Sequence, residues 1–241
     1  MDEKIVLKKE EKIGFITINR PEVSNALDHE AIDLFFGFLK KLEQDDKINV
    51  VVIRSSGTKV FCAGVDIKEG SVKNKRHTDE KNSRGVVDLF KAIMNYEKIV
   101  ICSVQGHALG AGLGLVAASD MAIITDNAVF GLPEINLGFF PFGLIVPIIQ
   151  SLGKKEANEL FFSGGRIDAY RALSMGLSNK IVSPEKLAQS TMDLARQLAE
   201  KDPYAVRAGK KAISTVVDME FNKAIEYTYI LVELIQNQFL R

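Results

Sequence analysis

Residues 103–138, SVQGHALGAGLGLVAASDMAIITDNAVFGLPEINLG, restrict this chain more than any other stretch. The apolar run at 99–102 reads as a strand leading into them, and the glycines Gly106, Gly110, Gly112 and Gly114 follow. Small apolar residues continue through 115–118, and Asp120 opens a second strand-like run at 121–125. A strand that enters a glycine-rich turn and then a helix leaves backbone N–H groups without intrahelical partners. Those donors and the helix dipole favour negative charge at that point. Glu134 stands near the end, in Gly131-Leu132-Pro133-Glu134, among mainly apolar neighbours. Donors for an anion followed by an isolated carboxyl group suggest chemistry.

The flanking sequence alternates strands with helices. Residues 4–7 and 13–18 have strand character and read as a hairpin, and Pro21 stops the second strand because it cannot donate to a ladder. Residues 25–42 carry Ile32, Phe35, Phe36, Leu39 and Leu42 at helical spacing. Residues 50–53 read as a buried strand, 61–67 as a compact loop of small residues, and 70–84 as a polar, mobile segment. A helix is expected over 86–94 and a strand over 99–104. This alternation argues for an α/β layer with crossover connections. After Gly138 the pattern turns helical, at 144–152, 154–162, 169–175 and 184–200, with a short strand at 180–182. Pro203 suits the first turn of a helix running to Val217, and residues 221–240 form a last amphipathic helix. Its long apolar stripe suits either a subunit contact or packing onto its own domain.

Bulk properties narrow the function classes. The 241 residues can bury a substantial core as one large domain or two small ones. Lys+Arg and Asp+Glu balance at 31 each, so no global field draws in nucleic acid or an anionic membrane. The N-terminus, MDEKIVLKKEEK, lacks the apolar core of a signal peptide, and apolar runs elsewhere are too short to span a bilayer. Two cysteines, Cys62 and Cys102, give neither a disulfide framework nor metal-ligand spacing. A cytoplasmic globular protein is expected.

Each candidate site has a plain alternative. The glycines at 110 and 112 invite a dinucleotide fingerprint, but the third position holds Leu115, and residues 113–119 are too few for a helix that crosses a sheet. His29, His77 and His107 are too far apart for a metal site; His107 lies nearest the glycine turn, where it either faces a ligand or bonds locally. Cys62 reads as a small buried filler. Glu134 is either a functional acid or a surface carboxylate after a turn proline. The loops at 61–66 and 109–112 each follow a strand. Two backbone N–H groups from separate loops aimed at one oxygen would make an oxyanion hole, and two tight turns packed on helices would look the same in sequence.

Taken together, these residues resemble the crotonase, or enoyl-CoA hydratase/isomerase, superfamily. The likeness is carried by Arg20-Pro21 with Asn25-Ala26-Leu27, by Phe61-Cys62-Ala63-Gly64-Val65-Asp66-Ile67-Lys68-Glu69, and by Gly106-His107-Ala108-Leu109-Gly110-Ala111-Gly112. Ser119-Asp120, Phe130-Gly131-Leu132-Pro133-Glu134 to Gly138, Gly164, Ala169, Ala172, Gly176-Leu177 and residues 203–210 extend it in order along nearly the whole chain. The resemblance implies an α/β spiral of ββα units over residues 1–185 and a helical trimerisation region over 186–241, assembled as a homotrimer or hexamer. It implies an acyl-CoA substrate, with coenzyme A entering as part of the thioester, no permanently bound cofactor and no metal. The thioester oxygen would be held by the N–H groups of Val65 and Ala111. Ala26, Ala63, Asp66 and Ile67 would lie along the adenine and pantetheine side, and Lys210, or Lys211 beside it, would meet the phosphates.

One departure matters. Hydratases of this family use two glutamates, one in the glycine-turn helix and one in the Pro-Glu motif. The second is Glu134; the first position aligns with Gly114, which cannot orient or activate water. The stretch Phe142-Gly143-Leu144-Ile145 also replaces the usual glycine-rich loop. The expected chemistry is therefore double-bond isomerisation by a single carboxylate: Glu134 removes an α-proton from a 3-enoyl-CoA and returns it at γ. Burial near Phe130, Leu132 and residues 139–142 would raise its pKa. The alternatives are a hydratase using another water-positioning group, His107 or Asp66, a carbon–carbon lyase or decarboxylase, and a non-catalytic acyl-CoA binder.

Overall fold

The computed structural model describes residues 3–66 and 80–239. Ile67 and the polar stretch at 70–79 lie outside them. Two compact units are present, residues 1–200 and 201–241.

The first unit is built by strands that pair off between two sheets. β1 (Ile5–Glu10) and β2 (Ile13–Ile18) form the expected antiparallel hairpin. β3 (Val50–Ser55), β5 (Ile99–Val104), β7 (Met121–Thr125) and β10 (Lys180–Val182) then add in parallel, giving the order β1-β2-β3-β5-β7-β10. Every residue of β5 is buried, as a parallel strand covered on both faces requires. The second sheet takes the short strands β4 (Val60–Cys62), β6 (His107–Leu109), β8 (Val129–Gly131) and β9 (Arg166–Asp168), in the order β4-β6-β8-β9. The chain thus visits the large sheet, then the small one, then a helix, and repeats: β3-β4, β5-β6 and β7-β8. This is the ββα recurrence that the resemblance implies. The small sheet is the part that periodicity misses, because strands of three residues carry no readable alternation.

Helices cover these layers. α1 (His29–Glu43) begins four residues later than the spacing at 25–42 predicts, because Asp28 accepts the Ala31 N–H at 2.8 Å and caps it. Asn25 meanwhile holds a left-handed backbone, φ 54°, which no helix accommodates. α2 (Glu80–Met94) starts earlier than expected, so residues 80–84 belong to a helix rather than to the polar segment. α3 (Ala111–Ala118) carries the glycine turn, and nearly all of it is buried. α4 (Ile145–Leu152), α5 (Lys154–Ser163) and α6 (Ala169–Ser174) follow. α7 (Leu187–Ala199) packs on β5, β3 and β7, so it lies with the sheet of the first unit, on the far side of the boundary expected at 185.

The second unit consists of α8 (Pro203–Val216) and α9 (Phe221–Phe239). Pro203 occupies the first turn of α8 as expected, and Asp202 caps it by accepting the Ala205 N–H at 2.8 Å. Large apolar side chains stay exposed along both helices, among them Ile213, Val217, Phe221, Tyr229 and Ile230.

Candidate active site

The two small-residue loops meet. A Cβ placed on Gly64 would lie 3.5 Å from the Ala111 nitrogen and 3.3 Å from the Leu109 carbonyl oxygen. The first loop is pinned by a parallel bridge between Leu27 and Val65: the Leu27 N–H donates to the Gly64 carbonyl at 2.8 Å, and the Asp66 N–H donates to the Leu27 carbonyl at 2.9 Å. In such a bridge the central residue's own N–H points away from its partner. The Val65 amide is therefore left facing elsewhere. The Ala111 amide is left over for a different reason: it opens α3 and has no carbonyl one turn back. Among the described residues, neither N–H donates to a protein acceptor. Both residues line one cavity of about 580 Å³.

A buried ion network steadies that loop. Arg20 reaches Asp28 at 2.7 Å and Asp66 at 3.2 Å, and donates to the Ala26 carbonyl at 2.5 Å. Lys4 also meets Asp28, at 2.6 Å. Burial acts first on the Asp28 carboxyl, pushing its pKa up, but Lys4, the Ala31 N–H and Arg20 outweigh it and hold the value below the usual aspartate range. Ala26, Ala63 and Asp66 are thus brought together, the Ala63 N–H donating to the Ser24 carbonyl at 3.1 Å. Lys210 lies on α8, in the second unit.

Glu134 enters the same cavity from a 3₁₀ turn, Pro133–Leu137, that follows β8. The turn starts with proline and ends at Gly138, whose left-handed φ of 85° closes it. Oε1 sits against Gly110, where any Cβ would collide with it, and Gly110 itself holds φ 52°. Glycine is needed there twice over, for the backbone and for the space. Oε2 is buried without a hydrogen-bond partner. Burial raises the Glu134 pKa above the ordinary glutamate value, and its own backbone N–H offsets this only in part. A carboxyl group placed this way can accept and release a proton in a cavity that Val65 and Ala111 also line.

Much of the remaining lining is apolar. At Gly114 a Cβ would overlap the rings and methyls of Phe90 and Leu144, which line the cavity and are themselves buried. Phe139, Phe140 and Phe142 continue the wall, the Phe140 and Phe142 rings lying 5.1 Å apart. Phe90 was not legible as a site residue, since in sequence it is one more apolar position on an amphipathic helix. Arg84 and Asp88 of α2 reach the cavity as well.

Other candidates fall away from it. His107, on β6, does not line the cavity, and its Nδ1 is buried without a partner. Cys62 and Cys102 are buried free thiols, each pushed up to about 12 by burial, as filler cysteines are. Among the described residues no cluster of three or more His, Cys, Asp or Glu side chains could hold a metal, and no helix is long and apolar enough to cross a membrane.

Paired sheets in ββα steps, with a glycine turn and a Pro-Glu turn facing one cavity, define the crotonase-like α/β spiral. A family model described as Enoyl-CoA hydratase/isomerase matches residues 8–238. The short-chain-enoyl-CoA hydratase of Clostridium acetobutylicum is 33% identical over 226 residues, 92% of this chain and 85% of that protein. The carnitinyl-CoA dehydratase of Escherichia coli K12 is 32% identical over 234 residues, 94% of this chain and 86% of that one. The crystal structure of an enoyl-CoA hydratase from Bacillus anthracis superposes with a TM-score of 0.90 at 26% identity, covering 96% of this chain and 90% of that chain. The chain belongs to the enoyl-CoA hydratase/isomerase family, enzymes that act on coenzyme A thioesters.

Proposed function

We propose that this protein isomerises a 3-enoyl-CoA to the 2-enoyl-CoA, with Glu134 as the sole proton carrier. The Val65 and Ala111 N–H groups hold the thioester oxygen, so that charge developing on it during α-deprotonation is met by two preset donors. Glu134 takes the proton from C2, the double bond moves from C3–C4 to C2–C3 through a dienolate, and the same carboxyl group delivers the proton to C4. Water is neither added nor lost. The observation that carries this reading is the Glu134 Oε2, sealed from solvent and unpartnered, in a chain whose Gly114, packed under Phe90 and Leu144, offers no second acid. Burial that lifts its pKa towards the working pH suits a group that must both take and give a proton.

The coenzyme A portion runs past Ala26, Ala63 and Asp66. Self-association as a trimer, or a pair of trimers, is part of the same proposal; the apolar side chains left exposed on α8 and α9 support it. A second reading, hydration of a 2-enoyl-CoA, is favoured by the names of the hydratase relatives. Its cost is the missing acid at position 114: Asp66 is engaged by Arg20, His107 lies off the cavity, and Asp88, which lines it, stands on α2 rather than on the glycine-turn helix.

Purified protein given 3-enoyl- and 2-enoyl-CoA thioesters separates the two. Isomerisation that falls by about 10²–10⁴-fold in Glu134→Gln supports the first reading. Unchanged turnover of 3-enoyl-CoA in that variant removes it.

A further inference from the structure

We infer that Phe90 and Leu144 are specificity-determining residues, a two-residue plug that decides what becomes of the enolate. The inference rests on the isomerisation reading above and deepens it. Hydration of a 2-enoyl thioester adds hydroxide at C3 and a proton at C2, and the incoming water must be held and deprotonated close to C3. In this chain the position from which a second carboxylate would do so is Gly114. The loss of that carboxylate is only half of the arrangement. Phe90 of α2 and Leu144, just before α4, press their side chains onto the Gly114 Cα, and both are almost wholly buried. They therefore fill the volume that a longer side chain and its water would occupy.

The plug is anchored from two directions. α2 carries Phe90 between Leu89 and Ile93, which are themselves in the core. The turn Phe142–Leu144 carries Leu144, and its Gly143 lies so close to Val87 of α2 that a Cβ there would meet the Val87 methyl at 2.6 Å. Two elements far apart in sequence, α2 and the turn before α4, thus lock together over Gly114. With Phe90 and Leu144 packed over Gly114, no acid and its water reach the dienolate from that position; Glu134 carries the proton, and Arg84 and Asp88 of α2 line the cavity elsewhere. The plug directs the intermediate to reprotonation at C4.

The test compares four proteins, all checked for folding by circular dichroism and thermal unfolding: wild type, Gly114→Glu, Phe90→Ala, and the double variant Gly114→Glu with Phe90→Ala. Each is assayed for 3-enoyl-CoA isomerisation and for 2-enoyl-CoA hydration. The carboxylate alone has no room, and the space alone has no second acid. Hydration is therefore expected to rise at least tenfold in the double variant over either single one. If Gly114→Glu alone hydrates as fast as the double variant, space was never limiting and the plug is overturned. A folded double variant that still isomerises but gains no hydration also overturns it. Should wild type fail to isomerise while the double variant gains hydration, the isomerase reading falls and the plug stands. Gly114→Ala paired with Phe90→Leu guards against misfolding of the glutamate variants. Recovery of the thermal midpoint lost in Gly114→Ala alone is expected, and no recovery counts against the contact.

Discussion

The two walls of the cavity follow opposite principles. One is polar and made mostly of backbone: the Val65 and Ala111 amides and the Glu134 carboxyl, set by a bridge, a helix start and a 3₁₀ turn. The other is mostly apolar and made of side chains: Phe90, Leu144 and the phenylalanines at 139, 140 and 142, with Arg84 and Asp88 of α2 beside them. In the isomerisation proposed above, the polar wall would supply what every enolate-forming reaction needs, and the apolar wall would exclude what only hydration needs.

Several measurements would sharpen that contrast or break it. The largest effect is expected from Glu134→Gln, which should lower kcat for 3-enoyl-CoA by about 10²–10⁴-fold with little change in KM, read in steady-state kinetics. On the other wall, Phe90→Ala should be first a stability defect, about 3–5 kcal/mol in denaturant unfolding, because it empties a packed core site. If Phe90→Ala instead matched Glu134→Gln in lost turnover without losing stability, the division between the walls would fail. Arg20→Met should cost about 3 kcal/mol, since it leaves Asp28 and Asp66 buried beside one fewer cation, and kcat should fall with it as the Val65 loop loosens.

The smallest effect is a pH signature. The folded-state pKa of Glu134 is raised, so the native protein binds this proton more tightly than the unfolded chain does. Its contribution to stability is fully present below the ordinary glutamate pKa and is lost as pH rises through the raised value. Glu134→Gln should therefore gain thermal stability over wild type at pH 8, with the gain disappearing in acid. The acid limb of kcat/KM should likewise lie above the usual carboxylate range. A limb within that range would mean that the carboxyl group is solvated during turnover. Asp28 has the opposite sign: its depressed pKa gives stability above the ordinary aspartate value that is lost as pH falls through the depressed one.

Much of the polar wall was legible beforehand because glycine, proline and capping residues act locally. Gly110 before a helix start and Pro133-Glu134 after a strand announce their backbones within a few residues. Ala26, Ala63 and Asp66 were likewise marked by short motifs, and the structure gathers them through the Leu27–Val65 bridge. Local reading failed at Asn25, where a helical apolar stripe hid a left-handed turn, and at β4, β6 and β8, too short to show a period.

The sequence by itself determined the α/β class, the hairpin at the start, the two small-residue loops, and the absence of a side chain at 114. Those are properties of residues and their immediate neighbours. Tertiary structure alone decided what fills the space beside Gly114 and which atoms surround Glu134. Phe90 and Leu144 are separated by more than fifty residues, and nothing in either local stretch marks the other as its neighbour. Close packing of a side chain depends on whatever the fold brings against it, and the order of residues along the chain does not encode that distance.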